Sequence, residues 1–106
     1  MTIERAPGEV YAFVSDPQNL SKWASGLNAA VKVRFVDRNP YGVLDHFVKV
    51  DSGPEVYMPM RVFPNGEGAE VLLTVFRQPG VTDEKFHEDT RWVLRDLEAL
   101  KALLEK

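Results

Sequence analysis

Residues 83–106 read DEKFHEDTRWVLRDLEALKALLEK and carry the clearest helical pattern in the sequence. The segment contains neither Gly nor Pro, and one narrow stripe of positions recurs at helical spacing. This stripe holds Thr90 and the apolar residues Phe86, Val93, Leu97, Leu100 and Leu104. The pattern predicts an amphipathic helix of about 22 residues, roughly 33 Å long, that buries the stripe. Trp92 falls off the stripe, so we expect it on the far side of the helix, over a loop or against a partner.

The segment before this helix, residues 31–77, is predicted to form four strands joined by tight turns. The runs with strand character are 31–37, 43–50, 55–63 and 70–77. The third run contains Pro59, which has no N–H to donate to a ladder, so a bulge or bend is expected there. Residues 2–5 are a candidate fifth strand at the start of the chain.

Two short helices are predicted between the first strand and the other four. Pro7 suits the first turn of a helix. Asp16 and Pro17 end this helix and open another, because Asp caps a helix and Pro fits its first position. Ser25 and Gly26 then end the second helix. Strands followed by a long amphipathic helix predict an α+β fold, with the helix laid across an antiparallel sheet of about five strands and an apolar cavity between them.

Composition indicates an ordinary globular domain that spans residues 1–106. A formal net charge of −3 disfavours a nucleic-acid partner, because phosphate binding requires a basic face. With two histidines and no cysteine, neither a metal site nor a cofactor is expected, and a cytoplasmic location is predicted. No apolar run approaches the roughly 20 residues of a membrane span, and the N-terminus lacks a signal-peptide core.

Several segments of the sequence resemble the SRPBCC, or START-like, superfamily, and within it the polyketide cyclase-like branch. The segments are IERAPGEVYAFVSDP at 3–17 and on to Trp23, YGVLDH at 41–46, PMRV at 59–62, and 96–105 near the end. The resemblance covers nearly the whole chain. It implies a helix-grip fold, in which a strand, two short helices, a curved antiparallel sheet and a long C-terminal helix surround an apolar pocket.

The chain departs from this family by a missing strand pair. Residues 26–30 lead almost directly to the strand at 31–37, where the family normally carries two further strands. The strand at 31–37 would then lie at a sheet edge, and an exposed edge is a pairing site. We therefore predict a homodimer, formed by edge pairing or by two open grips that close on each other. A shallower pocket and an incomplete form of a longer chain are the alternatives.

The candidates for chemistry are polar residues on mostly apolar strands. Asp45 and His46 are adjacent in a strand, so their side chains point to opposite faces. His46 is a candidate general acid or base, or else a histidine whose role is structural. Arg61, the second catalytic candidate, needs an anion on a ligand or on the protein. The protein carboxylates considered for Arg61 are Glu55, Glu70 and Asp45.

A ligand between the sheet and the long helix would contact aromatic and aliphatic side chains. The predicted ligand-binding residues are Trp23, Phe35, Tyr57, Phe76, Phe86, Val93 and Leu97. Three classes of function follow. The first is a module that binds a small hydrophobic or aromatic molecule. The second, which the resemblance implies, is an enzyme of the polyketide cyclase or aromatase kind, and the third is a dimeric interaction module without a ligand.

Overall fold

A computed structural model of the protein describes residues 1–25 and 31–106. Its elements are β1 (Thr2–Ile3), α1 (Pro7–Ser15), a 3₁₀ turn (Pro17–Asn19), α2 (Leu20–Trp23), β2 (Val31–Phe35), β3 (His46–Val50), β4 (Glu55–Met58), β5 (Met60–Asn65), β6 (Gly68–Leu73) and α3 (Asp83–Leu104). The predicted helix stop at Gly26 and the direct connection through 26–30 lie outside the described residues. Within the described ranges, no helix has the length and apolar character needed to cross a membrane.

The described strands form two antiparallel sheets of three strands each, with the orders β1-β6-β5 and β2-β3-β4. The α+β class is therefore confirmed, whereas the prediction of one sheet of about five strands is wrong. Pro59 is the physical cause. It cannot donate to a ladder, and the predicted run 55–63 breaks there into β4 and β5, which belong to different sheets. Because β6 loses its partner strand at the same point, it ends at Leu73 and does not continue to residue 77.

The predicted run 43–50 is divided between the two sheets. The Leu44 N–H donates to the Met60 carbonyl at 2.8 Å, and the Val62 N–H donates to the Gly42 carbonyl at 2.9 Å, so residues 42–44 pair with β5. The strand that pairs with β2 and β4 therefore begins at His46 instead of residue 43. The turn before it is held by Asn39, whose Oδ1 accepts hydrogen bonds from the main-chain N–H groups of Tyr41 (3.0 Å) and Val43 (3.1 Å).

The long C-terminal helix is confirmed as α3. It begins after Thr82, whose Oγ1 accepts a hydrogen bond from the Lys85 N–H at 3.1 Å and thereby caps the helix. In the C-terminal half of α3, Leu97 and Leu100 are buried. They belong to a core formed with α1, α2 and the β1–β6–β5 sheet. The other core residues are Ile3, Val10, Val14, Trp23, Leu44, Met60, Val62, Ala69 and Val71.

The β2–β3–β4 sheet is far less covered than the other sheet. Within its three strands, His46 is the one buried residue. Its β2 strand pairs with β3 and with no other described strand, as expected for a strand at a sheet edge. The N-terminal half of α3 and one face of this sheet border a common groove.

Candidate functional site

The groove between the β2–β3–β4 sheet and the helices has a volume of about 700 Å³ and opens to solvent. Its floor is one face of the sheet, to which alternate residues of each strand point. The floor residues are Val31, Val33, His46, Val48, Val50, Val56 and Met58. The volume lies within the range of roughly 300–1,000 Å³ that is common for small-molecule sites. The floor is thus an aliphatic surface with a single imidazole in it.

Helices α2 and α3 form the opposite wall of the groove. Trp23 of α2 is buried, and its Nε1 has no hydrogen-bond partner among the described residues. On α3, Val93 supplies an apolar part of the wall, while Lys85 and Asp89 form an ion pair at 2.7 Å. Glu88 and Asp96 also line this wall, so its charged residues are mostly acidic.

His46 is the polar group of the groove floor. Its Nδ1 lies 3.0 Å from the Leu44 carbonyl oxygen. Since a carbonyl oxygen only accepts, we assign the ring proton to Nδ1, which leaves a lone pair on Nε2. Burial lowers the pKa of His46 below its ordinary value of 6.5, although the Leu44 carbonyl and the Asp45 charge act in the opposite direction. His46 is therefore a neutral hydrogen-bond acceptor at neutral pH, and no described residue bonds to its Nε2.

We expect stability to depend on pH through His46. Because the folded state binds this proton more weakly than the unfolded chain, the contribution of neutral His46 is complete above its ordinary pKa of 6.5 and is lost progressively as the pH falls from that value through the lower pKa of the folded state. The slope for one proton cannot exceed about 1.4 kcal/mol per pH unit. Urea unfolding between about pH 5 and 7.5 measures it, and His46→Gln should flatten the curve.

His87 provides the matched control, because it is an exposed histidine on α3. His87→Gln should leave the pH dependence unchanged. Glu70 does not interfere, because hydrogen bonds from Thr2 and the terminal ammonium lower its pKa to about 2, so its own contribution is lost only in more acidic solution. Equal slopes for the native protein and His46→Gln would show that His46 is not the titrating group.

The structure brings together some of the predicted site residues and separates others. His46, Trp23, Phe76, Val93 and Leu97 line the groove. Two further residues lie outside its lining. The ring of Phe35 contacts that of His46, with centroids 4.8 Å apart, and the half-buried Phe86 lies beside His87 on α3.

The remaining two candidates, Tyr57 and Arg61, meet Asp45 and are not part of the groove lining. The Asp45 carboxylate is 5% exposed. Tyr57 Oη donates to its Oδ2 at 2.5 Å, and the Met60 N–H donates to its Oδ1 at 2.9 Å. Arg61 forms an ion pair with the same Oδ1. The hydrogen bond to Asp45 also raises the pKa of Tyr57.

The Asp45 cluster has a structural role that follows from its position. Asp45 directly precedes β3, Tyr57 lies on β4, and Arg61 lies on β5. The carboxylate therefore joins three strands across the break at Pro59, where the chain passes from one sheet to the other. The counter-ion of Arg61 is thus a protein carboxylate, one of the partners considered from the sequence.

Sequence reasoning missed most of the polar groove residues of α3, and Trp92 and Asp96 are the two that hold neighbouring elements together. Trp92 is half-exposed and lies against Ser25, after the end of α2, where its Nε1 donates to the Ser25 carbonyl at 3.4 Å, but its place in the groove lining was not predicted. Asp96 Oδ1 accepts from the N–H (3.0 Å) and the hydroxyl (2.5 Å) of Ser25. These bonds tie the end of α2 to α3. The four-residue spacing of Trp92 and Asp96, which places them on one helix face next to Val93, was the available signal.

Sequence comparison does not name a ligand for the groove. No protein-family model matches the chain, and no curated protein matches it significantly. Among the described residues, no group of three or more His, Asp or Glu side chains is placed to hold a metal ion. The chemistry of the groove itself is therefore the basis for a functional proposal.

Proposed function

We propose that this protein binds a small apolar or aromatic molecule that carries a hydroxyl group, in the groove between the β2–β3–β4 sheet and α3. The observation that supports this most directly is the neutral His46, whose Nε2 acceptor belongs to an otherwise aliphatic floor. A ligand that covers this acceptor without bonding to it incurs the cost of an unmade hydrogen bond. A ligand that donates a hydroxyl to Nε2 avoids this cost and is preferred.

Membership of the START-like superfamily, with its helix-grip fold, is part of the same proposal. The order of a first strand, two short helices, further antiparallel strands and a long C-terminal helix supports it. The groove lies under the long helix, where the resemblance implies an apolar pocket. A cytoplasmic location remains a prediction from the absence of cysteine.

A cyclase-like enzyme is the less supported alternative. Of the two predicted catalytic side chains, His46 lines the groove, whereas Arg61 pairs with Asp45 outside it. Ring closure requires an acid or base placed against the substrate. His46 supplies a base, but the second group on which the catalytic hypothesis relied is engaged elsewhere. The geometry therefore supports binding more directly than catalysis.

The proposal is tested with two probes of matched size, 2-naphthol and 2-methylnaphthalene, which differ in the hydroxyl group. Tryptophan fluorescence follows the titration, because Trp23 and Trp92 both line the groove. We expect both probes to bind at neutral pH, with 2-naphthol bound about five- to tenfold more tightly through its bond to Nε2.

His46→Phe is the matched variant, because it keeps an aromatic ring against Phe35 and removes the acceptor. This variant should bind the two probes with equal affinity. Failure of both probes to bind the native protein would contradict the ligand proposal as a whole. Equal affinities for the native protein would contradict only the role given to His46.

A further inference from the structure

The outer edge of β2 presents main-chain groups, at alternate residues, with which no other described strand pairs. The Val36 N–H donates to the Asp45 carbonyl at 2.9 Å, which fixes the side of β2 that faces β3. In an antiparallel ladder the direction of these groups alternates along the strand. The N–H and C=O groups of Val31, Val33 and Phe35 therefore point away from β3, where no described strand pairs with them.

The two faces of this edge differ in chemistry. The side chains of Val31 and Val33 belong to the groove floor. Lys32 and Arg34 point to the opposite face and are exposed. An extended segment added at this edge would thus meet apolar side chains on one face and basic side chains on the other.

The charge on the outer face of the sheet is locally positive, although the whole chain carries −3. Lys32 lies opposite Lys49 in the β2–β3 register, and no described carboxylate forms an ion pair with either of them. Arg34 contacts Glu55 at 3.2 Å. Across β2, β3 and β4, Glu55 is the one acidic side chain against these three basic ones. The face is therefore complementary to an acidic partner.

We propose that the β2 edge binds an extended peptide segment in which apolar and acidic residues alternate. The segment adds an antiparallel strand to the β2–β3–β4 sheet, as in other cases of strand addition. Its apolar residues lie opposite Val31, Val33 and Phe35 and extend the groove floor. Its acidic residues lie opposite Lys32 and Arg34. This inference is independent of the proposed ligand, which contacts the floor and needs no added strand.

The same side chains disfavour the homodimer that the sequence suggests. Two copies paired antiparallel along the whole of β2, with Val33 opposite Val33, would place Lys32 of each copy opposite Arg34 of the other. Directly opposed like charges destabilise a strand pair. Edge strands with lysine are protected from self-association in this way. The same lysine and arginine attract the acidic residues of a bound segment.

The test uses a fluorescein-labelled peptide, Gly-Ser-Val-Glu-Val-Glu-Val-Ser-Gly, whose binding is followed by fluorescence anisotropy. We expect saturable binding that weakens as salt is added. A peptide with Lys in place of both Glu should bind about tenfold more weakly or not at all. The doubly reversed variant Lys32→Glu/Arg34→Glu should reverse this preference, and both positions are exposed, so the fold is expected to persist.

Main-chain pairing is tested separately by N-methylation of the peptide. In the antiparallel arrangement the N–H groups of its valines face β2, whereas those of its glutamates point away. Methylation of the valine nitrogens should abolish binding, and methylation of the glutamate nitrogens should leave it unchanged. Equal effects of the two modifications would overturn the proposal. A stable dimer of the protein alone in sedimentation, unaffected by the charge-reversal variant, would also overturn it, because a second copy would then occupy the edge.

Discussion

Arg61→Leu is expected to lower the free energy of unfolding by about 2–3 kcal/mol. The substitution removes the positive partner of the Asp45 carboxylate, whose side chain is 8% exposed in the native protein. Tyr57 and the Met60 N–H still donate to this carboxylate, but two neutral donors do not replace a cation. The loss is smaller than for a fully buried pair because the Arg61 side chain is 38% exposed and water screens it. Urea unfolding followed by circular dichroism measures the change.

Arg34→Leu is the matched control for this experiment. It removes another arginine–carboxylate pair, but the side chains of Arg34 and Glu55 are 61% and 43% exposed. Such surface pairs contribute less than about 1 kcal/mol, so this variant should unfold close to the native protein. The free energy of unfolding of Arg61→Lys should lie between those of Arg61→Leu and Arg34→Leu, because lysine keeps the positive charge but lacks the planar guanidinium group.

The opposite result would change the interpretation of Arg61. If Arg61→Leu unfolds like the native protein but loses affinity for 2-naphthol, Arg61 serves a ligand and not the Asp45 carboxylate. A double variant with Asp45→Asn adds a second check. Removing both charges should cost less than the sum of the two single losses, because neither partner is then left with an unmatched charge.

The parts of the fold that could be predicted are those that depend on local pattern. Helix α3 and its Thr82 cap follow from the spacing of apolar residues and from one hydroxyl three residues before a main-chain N–H. The division into two sheets could not be predicted in the same way. The sequence indicates that Pro59 cannot donate to a ladder, but the pairing that completes the second sheet joins β1 to β6, which lies far along the chain.

In the candidate site, too, features set by local sequence could be predicted, whereas contacts between distant residues could not. Strand alternation correctly separates Asp45 from His46, yet both are buried. Asp45 is buried because Tyr57 and Arg61 contact it from two other strands, and no local sequence pattern predicts these contacts. Trp92 lies off the core stripe, as predicted, but its place in the groove lining could not be predicted, because the stripe defines only the side that faces the core. The groove adjoins this stripe at an angle set by tertiary packing.

Val48→Trp is expected to weaken binding of 2-naphthol at least about tenfold, because the probe loses most of its contact area with the floor. Val48 lies on the central strand of the sheet, opposite Val33 on one neighbour and Val56 on the other. All three side chains line the groove. An indole at this position occupies the middle of the space that the probe needs. Because the floor faces an open groove and not a close-packed core, the added volume should be accommodated without unfolding.

Lys49→Trp adds the same side chain at the next residue of β3, on the opposite face of the sheet. It should leave the affinity for 2-naphthol unchanged, and comparison of the two variants separates occupation of the groove from any general effect of an added tryptophan. Equal loss in both variants would point to a disturbed sheet. Full affinity in Val48→Trp would mean that the probe binds away from the centre of the floor.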